Sequence, residues 1–273
     1  MNKKDRAFAR SEGDGEMSEK VFLILVDGMR IDAPDACGNE YAAQFGAKAK
    51  LLRERTVMPS VTLPCHMSLF HSVTPQRHGI LTNTFVPQVH TVEGLVERLK
   101  AAGKTSAFYY SWQLLRDLTR PGCLSFELFT DMYAYPHVDR LLTGEALART
   151  EKDAHDFVFL YLGEPDETGH AHGYMGPEYL ASVSEAWDCV RRVCEKFGGQ
   201  YQIIVTADHG GHDRIHGEDI PEDMNIPLYL YGSAFDGCTA QTASIIDIAP
   251  TIAKIMGIEP ARGWDGKAIP GVG

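Results

Sequence analysis

Three short apolar runs in this chain each end in residue types that commonly ligate metals. Residues 21–26 stop at Asp27-Gly28, residues 157–162 lead into G-E-P-D-E-T-G-H with Asp166 and His170, and residues 202–207 end at Asp208 and His209. A short, wholly apolar run closed by a turn is the pattern of a strand buried on both faces. In parallel α/β sheets the carboxyl ends of such strands face the ligand. A single Asp after a strand is commonly a helix cap or turn former. Three Asp and several His reaching one sheet edge are another matter, because they repel one another and are costly to desolvate unless a cation compensates them. Mixed oxygen and nitrogen donors suit zinc or manganese, and this set is large enough for two ions.

A nucleophile candidate lies between the first and second of these runs. Thr62 sits in M-P-S-V-T-L-P-C-H, with Pro59 and Pro64 restricting the chain on either side. Residues 66–71 can form a helix whose N-terminus faces the threonine, and backbone N–H groups at a helix start favour an anion. A threonine hydroxyl needs a base or a metal before it attacks. Taken alone, Thr62 reads first as a helix N-cap.

Two further runs, residues 105–110 and 226–231, repeat the strand pattern. Helical stretches lie between the runs: residues 91–102, 177–197 and 244–256, each ended by a glycine (Gly103, Gly198, Gly257). Alternation of strands and helices predicts an α/β fold, a three-layer α/β/α arrangement on a mostly parallel sheet. No repeat or flexible linker marks a boundary, so one catalytic domain is expected over residues 21–273. Residues 112–142 are irregular, either a small elaboration over the site or surface packing.

Composition narrows the function. The chain has 273 residues and a formal charge of -11, and its Lys and Arg form no cluster of the kind that displaces counterions from nucleic acid. A small anionic substrate is compatible with that balance if metal supplies the positive charge. Residues 1–20 are polar and mixed in charge, with no apolar core or cleavage site of a signal peptide, and read as a floppy lead-in. No apolar run approaches the roughly 20 residues needed to span a bilayer. A soluble, cytoplasmic protein with no membrane partner is therefore expected. Its cysteines, Cys37, Cys65, Cys123, Cys189, Cys194 and Cys238, form no CxxC pair and read as reduced, buried small residues.

In order along the chain, the strand ending in Asp27-Gly28, P-S-V-T-L-P, P-Q-R-H-G-I, E-P-D-x-x-G-H, D-H-G and a His-Gly leading into I-P-L closely resemble the type I phosphodiesterase/nucleotide pyrophosphatase branch of the alkaline phosphatase superfamily. Asp247-Ile-Ala-Pro-Thr and Gly257-Ile258 look like that family's terminal helix and turn. The resemblance runs from Val21 onward. It implies an alkaline phosphatase-like core, one metal held by Asp166, His170 and His216, and a second held by Asp27, Asp208 and His209. The implied ions are Zn2+, with Mn2+ as the alternative. Thr62 would lie beside the second metal and attack phosphorus to give a phosphothreonine, and Asn83 would donate to a phosphoryl oxygen. Two metals about 4 Å apart would straddle the phosphoryl group.

For the last ligand, H-D-R-I-H-G offers His212 and His216. His216 is favoured because Gly and then the I-P strand follow it. His172 reads as a neighbour of His170. His66, His71, His78, His90, His137 and His155 read as structural or solvated.

The implied substrate is a small phosphate ester. In the diesterase branch an aromatic beside the nucleophile and a tyrosine before the metal-binding Asp sandwich a nucleobase. Tyr161 holds the second position and Leu63 replaces the aromatic at the first, so the resemblance does not carry a nucleotide substrate over, while an aryl or small alkyl diester would still fit. Tyr161 is equally a strand-end core residue. The alternatives are a phosphomonoesterase or phosphonate hydrolase on the same metals and, more remotely, a non-catalytic metal-binding protein. A cofactor-independent phosphoglycerate mutase would need a large inserted cap, for which the intervals are too short, and a sulfatase would need Cys or Ser in place of Thr62.

Overall fold

The computed structural model describes residues 19–88 and 91–273. Eight strands, β1 (Lys20–Val26), β2 (Lys50–Arg55), β3 (Ser106–Tyr110), β4 (Phe126–Phe129), β5 (Phe157–Leu162), β6 (Tyr201–Thr206), β7 (Asn225–Tyr231) and β8 (Thr242–Ser244), form one sheet in the order β4-β3-β5-β1-β6-β7-β2-β8. Every pairing is parallel except those of β7, which runs against both β6 and β2. The expected mostly parallel sheet is present. Of the lead-in, only Glu19 and Lys20 are described, and Lys20 already belongs to β1. His90 also lies outside the described residues.

The helices are α1 (Ala33–Ala36), α2 (Glu40–Lys48), α3 (Thr62–His71), α4 (Pro75–His78), α5 (Leu95–Ala101), α6 (Val138–Asp153), α7 (Glu164–His172), α8 (Pro177–Phe197), α9 (Pro221–Met224) and α10 (Ile248–Ile255). On one side of the sheet, α3 packs with α5 and α10, and its Phe70 meets Phe159 of β5 edge-on at 5.1 Å. On the other, α8 packs with α1, α2, α6 and α7, and its Phe197 stacks on Phe22 of β1 at 6.2 Å. β1 and β5 are buried along their apolar lengths, as strands covered on both faces must be.

The structure differs from the sequence reading at the edges. β2 (K-L-L-R-E-R) and β4 alternate buried or half-buried residues with exposed ones, and β8 has three residues, so none carries a continuous apolar run. The irregular stretch supplies β4 and the first turns of α6, and its Tyr133 hydroxyl donates to Glu167 of α7 at 2.7 Å. The helix expected over 244–256 is a 3-10 turn (Ile245–Asp247) followed by α10. No helix among the described residues is long and apolar enough to cross a membrane. The six cysteines are free, and three of them are buried.

β1 lies between β5 and β6, at the place where the chain turns one way toward β3 and β4 and the other toward β7. Ligands bind at such a switch point, outside the carboxyl ends of the strands. Here those ends are followed by Asp27, by α7, and by Asp208.

Candidate active site

Three carboxylates meet at this switch point, and each has one oxygen tied by a neutral donor. Tyr161 Oη donates to Asp27 Oδ2, Tyr174 Oη to Asp166 Oδ1, and the Gly28 N–H to Asp208 Oδ1 at 3.2 Å. The turn at Gly28 admits only glycine, with φ +67° and an added Cβ only 2.8 Å from Asp166 Oδ1. The remaining oxygens Asp27 Oδ1 and Asp208 Oδ2 are buried and have no hydrogen-bond partner.

Histidine ring nitrogens face the three carboxylates. His170, His209 and His216 each donate Nδ1–H to a backbone carbonyl, of Arg214, Gly210 and Ser60, in each case at 2.8 Å. A carbonyl can only accept, so Nε2 carries the lone pair in the neutral form of each ring, the form that burial favours at His209 and His216. His209 Nε2 lies 3.4 Å from Asp27 Oδ1 and 3.3 Å from Asp208 Oδ2. His170 Nε2 lies 3.4 Å from Asp166 Oδ2, and His216 Nε2 3.9 Å from Asp166 Oδ1. The His209 lone pair and the bare Asp27 and Asp208 oxygens, pointing at one another without hydrogen between them, fit a divalent cation, and a second ring nitrogen anchored to a carbonyl is the usual support of a metal-binding imidazole. Among the described residues, two groups have ligand atoms within 4.8 Å of one another: Asp27, Asp208 and His209, and Asp166, His209 and His216. His170 joins the second through Asp166, and His209 stands between the two, its ring stacked on His216 at 3.7 Å.

The electrostatics agree. Burial, and then the charges of Asp208 and Asp166, push the Asp27 carboxyl well up, and burial also raises Asp208. Asp166 is instead held low against its burial by His170, His209 and His216. The Asp166 carboxylate facing its Nε2–H at 3.4 Å raises His170 to about 9, whereas burial lowers His216 to about 4. The pocket cannot hold three ionised carboxylates without added positive charge.

Thr62 is the first residue of α3, not its N-cap. Val61 holds the cap position with no side-chain bond, and the helix starts four residues before the expected position. Freed from capping, the Thr62 hydroxyl lies 3.2 Å from His209 Nε2. Asn83 sits opposite, its Oδ1 accepting the Leu63 N–H at 3.0 Å. That bond fixes the amide orientation and leaves Nδ2 as a donor.

Four expectations need correction or completion. Leu63 is fully buried, so its side chain lines no substrate surface and only its N–H reaches the site. Tyr161 is 2% exposed and committed to Asp27, so it is unavailable to stack on a base. His212 turns away to the buried Asp223, at 2.8 Å, leaving His216 at the centre. His66, read as structural, is fully buried with Nδ1 on the Thr62 carbonyl and 3.5 Å from Asp208 Oδ2; its place four residues after Thr62 was the available signal. His172 lies beyond the cluster on α7.

A doubly covered sheet with aspartates and histidines converging at the strand ends beside a helix-borne threonine defines a metalloenzyme core. Two family models match successive parts of the chain: type I phosphodiesterase/nucleotide pyrophosphatase over residues 21–100 and metalloenzyme superfamily over residues 130–260. The chain is therefore similar to type I phosphodiesterases/nucleotide pyrophosphatases over its first part and to the metalloenzyme superfamily over its second. Among curated proteins it is similar to a 2,3-bisphosphoglycerate-independent phosphoglycerate mutase of Bacteroides thetaiotaomicron, 28% identical over 55% of this chain and 29% of that protein. It is also similar to the catalytic subunit of human GPI ethanolamine phosphate transferase 3, 23% identical over 88% of this chain and 24% of that protein. The chain thus spans less than a third of the length of either. Among solved structures, murine ectonucleotide pyrophosphatase/phosphodiesterase 5 superposes with a TM-score of 0.74 at 15% identity, covering 89% of this chain and 96% of that one. A phosphonate monoester hydrolase from Silicibacter pomeroyi gives 0.68 at 16% identity, covering 92% and 75%.

Proposed function

We propose that this protein is a metal-dependent phosphodiesterase acting on small aryl or alkyl phosphate diesters through a phosphothreonine intermediate. The observation that carries the reading is the convergence of imidazole lone pairs and bare carboxylate oxygens beside the Thr62 hydroxyl. Asp27, Asp208 and His209 would hold one divalent ion and Asp166, His170 and His216 the other, with zinc favoured by the three imidazoles and manganese the alternative. When bound, such ions supply Lewis-acid charge that lowers the pKa of a hydroxyl and offsets charge on phosphoryl oxygens.

The chain's own residues do the rest. Thr62 Oγ1 forms a bond to phosphorus as the first alcohol leaves, and water then cleaves the phosphothreonine to regenerate the hydroxyl. The start of α3 favours the anion there, and Asn83 Nδ2 donates to a non-bridging oxygen. A diester, with one negative charge, suits a site short of free cations: Arg30, beside the Asp27-Gly28 turn, is bound to Asp32 and to the Gly211 carbonyl. The murine neighbour, solved also in complex with AMP, supports a phosphoester reading, while the buried Tyr161 argues against base stacking as the source of specificity.

The test is hydrolysis of bis-p-nitrophenyl phosphate against p-nitrophenyl phosphate by metal-stripped protein reloaded with Zn2+ or Mn2+. Faster diester cleavage is expected, and faster monoester cleavage would move the assignment to a phosphatase. Thr62→Ala should lower turnover by at least about a thousandfold while leaving bound metal unchanged. Near-normal activity in that variant removes the nucleophile.

A further inference from the structure

Tyr174 has no part in the chemistry above, yet it touches each piece of one half of the site. Its hydroxyl donates to Asp166 Oδ1. Its ring meets His170 edge-on, with centroids 6.1 Å apart. Its backbone N–H donates to the Asp213 carbonyl at 2.8 Å, in the loop that delivers His216. On α7, an added Cβ at Gly169 would come within 2.7 Å of the Tyr174 ring, and at Gly211, after β6, within 2.4 Å. Neither glycine has a positive φ, so the ring, not the backbone conformation, accounts for both missing side chains.

We infer that Tyr174 is a positioning residue for the ion assigned to Asp166, His170 and His216, an inference that rests on the two-ion reading above. Tyrosine holds Oδ1 of Asp166 by a hydrogen bond and leaves Oδ2 beside His170 Nε2. Its ring, seated between the two glycines, keys α7 against the loop bearing His216. The three ligands of this ion come from two separate elements, and Tyr174 joins them. The other ion draws its carboxylate support from Tyr161 and the Gly28 N–H, so its two carboxylates do not depend on the Tyr174 hydroxyl. A supporting donor of this kind typically contributes 10–100-fold in metal affinity, as an order of magnitude.

The experiment is a calorimetric Zn2+ titration of metal-stripped wild type and Tyr174→Phe, with elemental analysis after desalting and thermal unfolding of the metal-free forms. Wild type is expected to take two ions. Tyr174→Phe should keep one at wild-type affinity and bind the other about 10–100-fold more weakly, with its metal-free unfolding midpoint unchanged. Gly211→Ala, which pushes the ring out while keeping the hydroxyl in the sequence, should weaken the same ion. Two ions of wild-type affinity in Tyr174→Phe overturn the role while leaving the two-ion reading intact. Equal weakening of both ions, or a lowered metal-free midpoint with unchanged affinities, assigns Tyr174 to general packing and overturns it too. Fewer than two ions in wild type overturns both readings.

Discussion

At the scale of single residues, the site is built from side chains with one atom committed and one left free. Each imidazole is anchored through Nδ1, and the carboxylates of Asp27 and Asp208 through one oxygen. The same accounting identifies a buried acid with another consequence. Glu54 of β2 is fully buried, with Oε2 bonded to the Thr206 hydroxyl and Oε1 unpartnered, and burial raises its pKa from 4.5 to about 8. The folded chain therefore keeps a proton that the unfolded chain loses above 4.5. The stability contributed by Glu54 is complete below that value and falls away as pH rises through about 8. Glu54→Gln removes the titration, so its stability relative to wild type should climb by up to about 1.4 kcal/mol per pH unit across that window. Urea unfolding at pH 5 and pH 8 checks this, and a constant difference between the two proteins would sink it.

At the scale of elements, strand ends and helix starts do the positioning. The β1 turn is the tightest example, because Gly28 gives its N–H to Asp208 while its bare Cα lies against Asp166. Gly28→Ala combines a left-handed backbone with a clash against a buried carboxylate. It should cost about 1–3 kcal/mol of stability and reduce bound metal, read by chemical denaturation and elemental analysis. Unchanged values in both would mean that the turn is more plastic than its geometry implies. The loop between β6 and β7 is set in the same manner by the buried Asp223, which accepts from His212 and the Glu218 N–H. That arrangement directs His212 outward and His216 inward, a choice that the spacing H-D-R-I-H left open.

At the scale of the whole molecule, an acidic chain concentrates three buried aspartates at the centre of its sheet. Folding such a cluster is unfavourable without compensating charge, so metal binding should be linked to folding. Zn2+ or Mn2+ at a hundred times its dissociation constant should stabilise the fold by about 2.7 kcal/mol per ion. For a chain of this size that corresponds to a rise of roughly 5–10 °C in the unfolding midpoint, reversed by chelation. A midpoint indifferent to saturating metal would contradict the assignment of these residues as ligands.

The sequence by itself determined the central strands and the chemistry at their ends, because continuous apolar runs and the residues that close them are local signals. It also singled out Thr62 and the Asp and His residues that the fold brings together as candidate ligands. The edge strands β2, β4 and β8 escaped it, since half-exposed strands lack that signal. Only the tertiary structure decided which way side chains face. Tyr161 and Asp27 lie 134 positions apart in the chain, and Thr62 and His209 lie 147 apart. Whether a strand-end tyrosine meets substrate or supports a carboxylate depends on which face of β5 the opposite layer covers. Strand alternation alone cannot supply that choice, because it separates two faces without saying what packs on each.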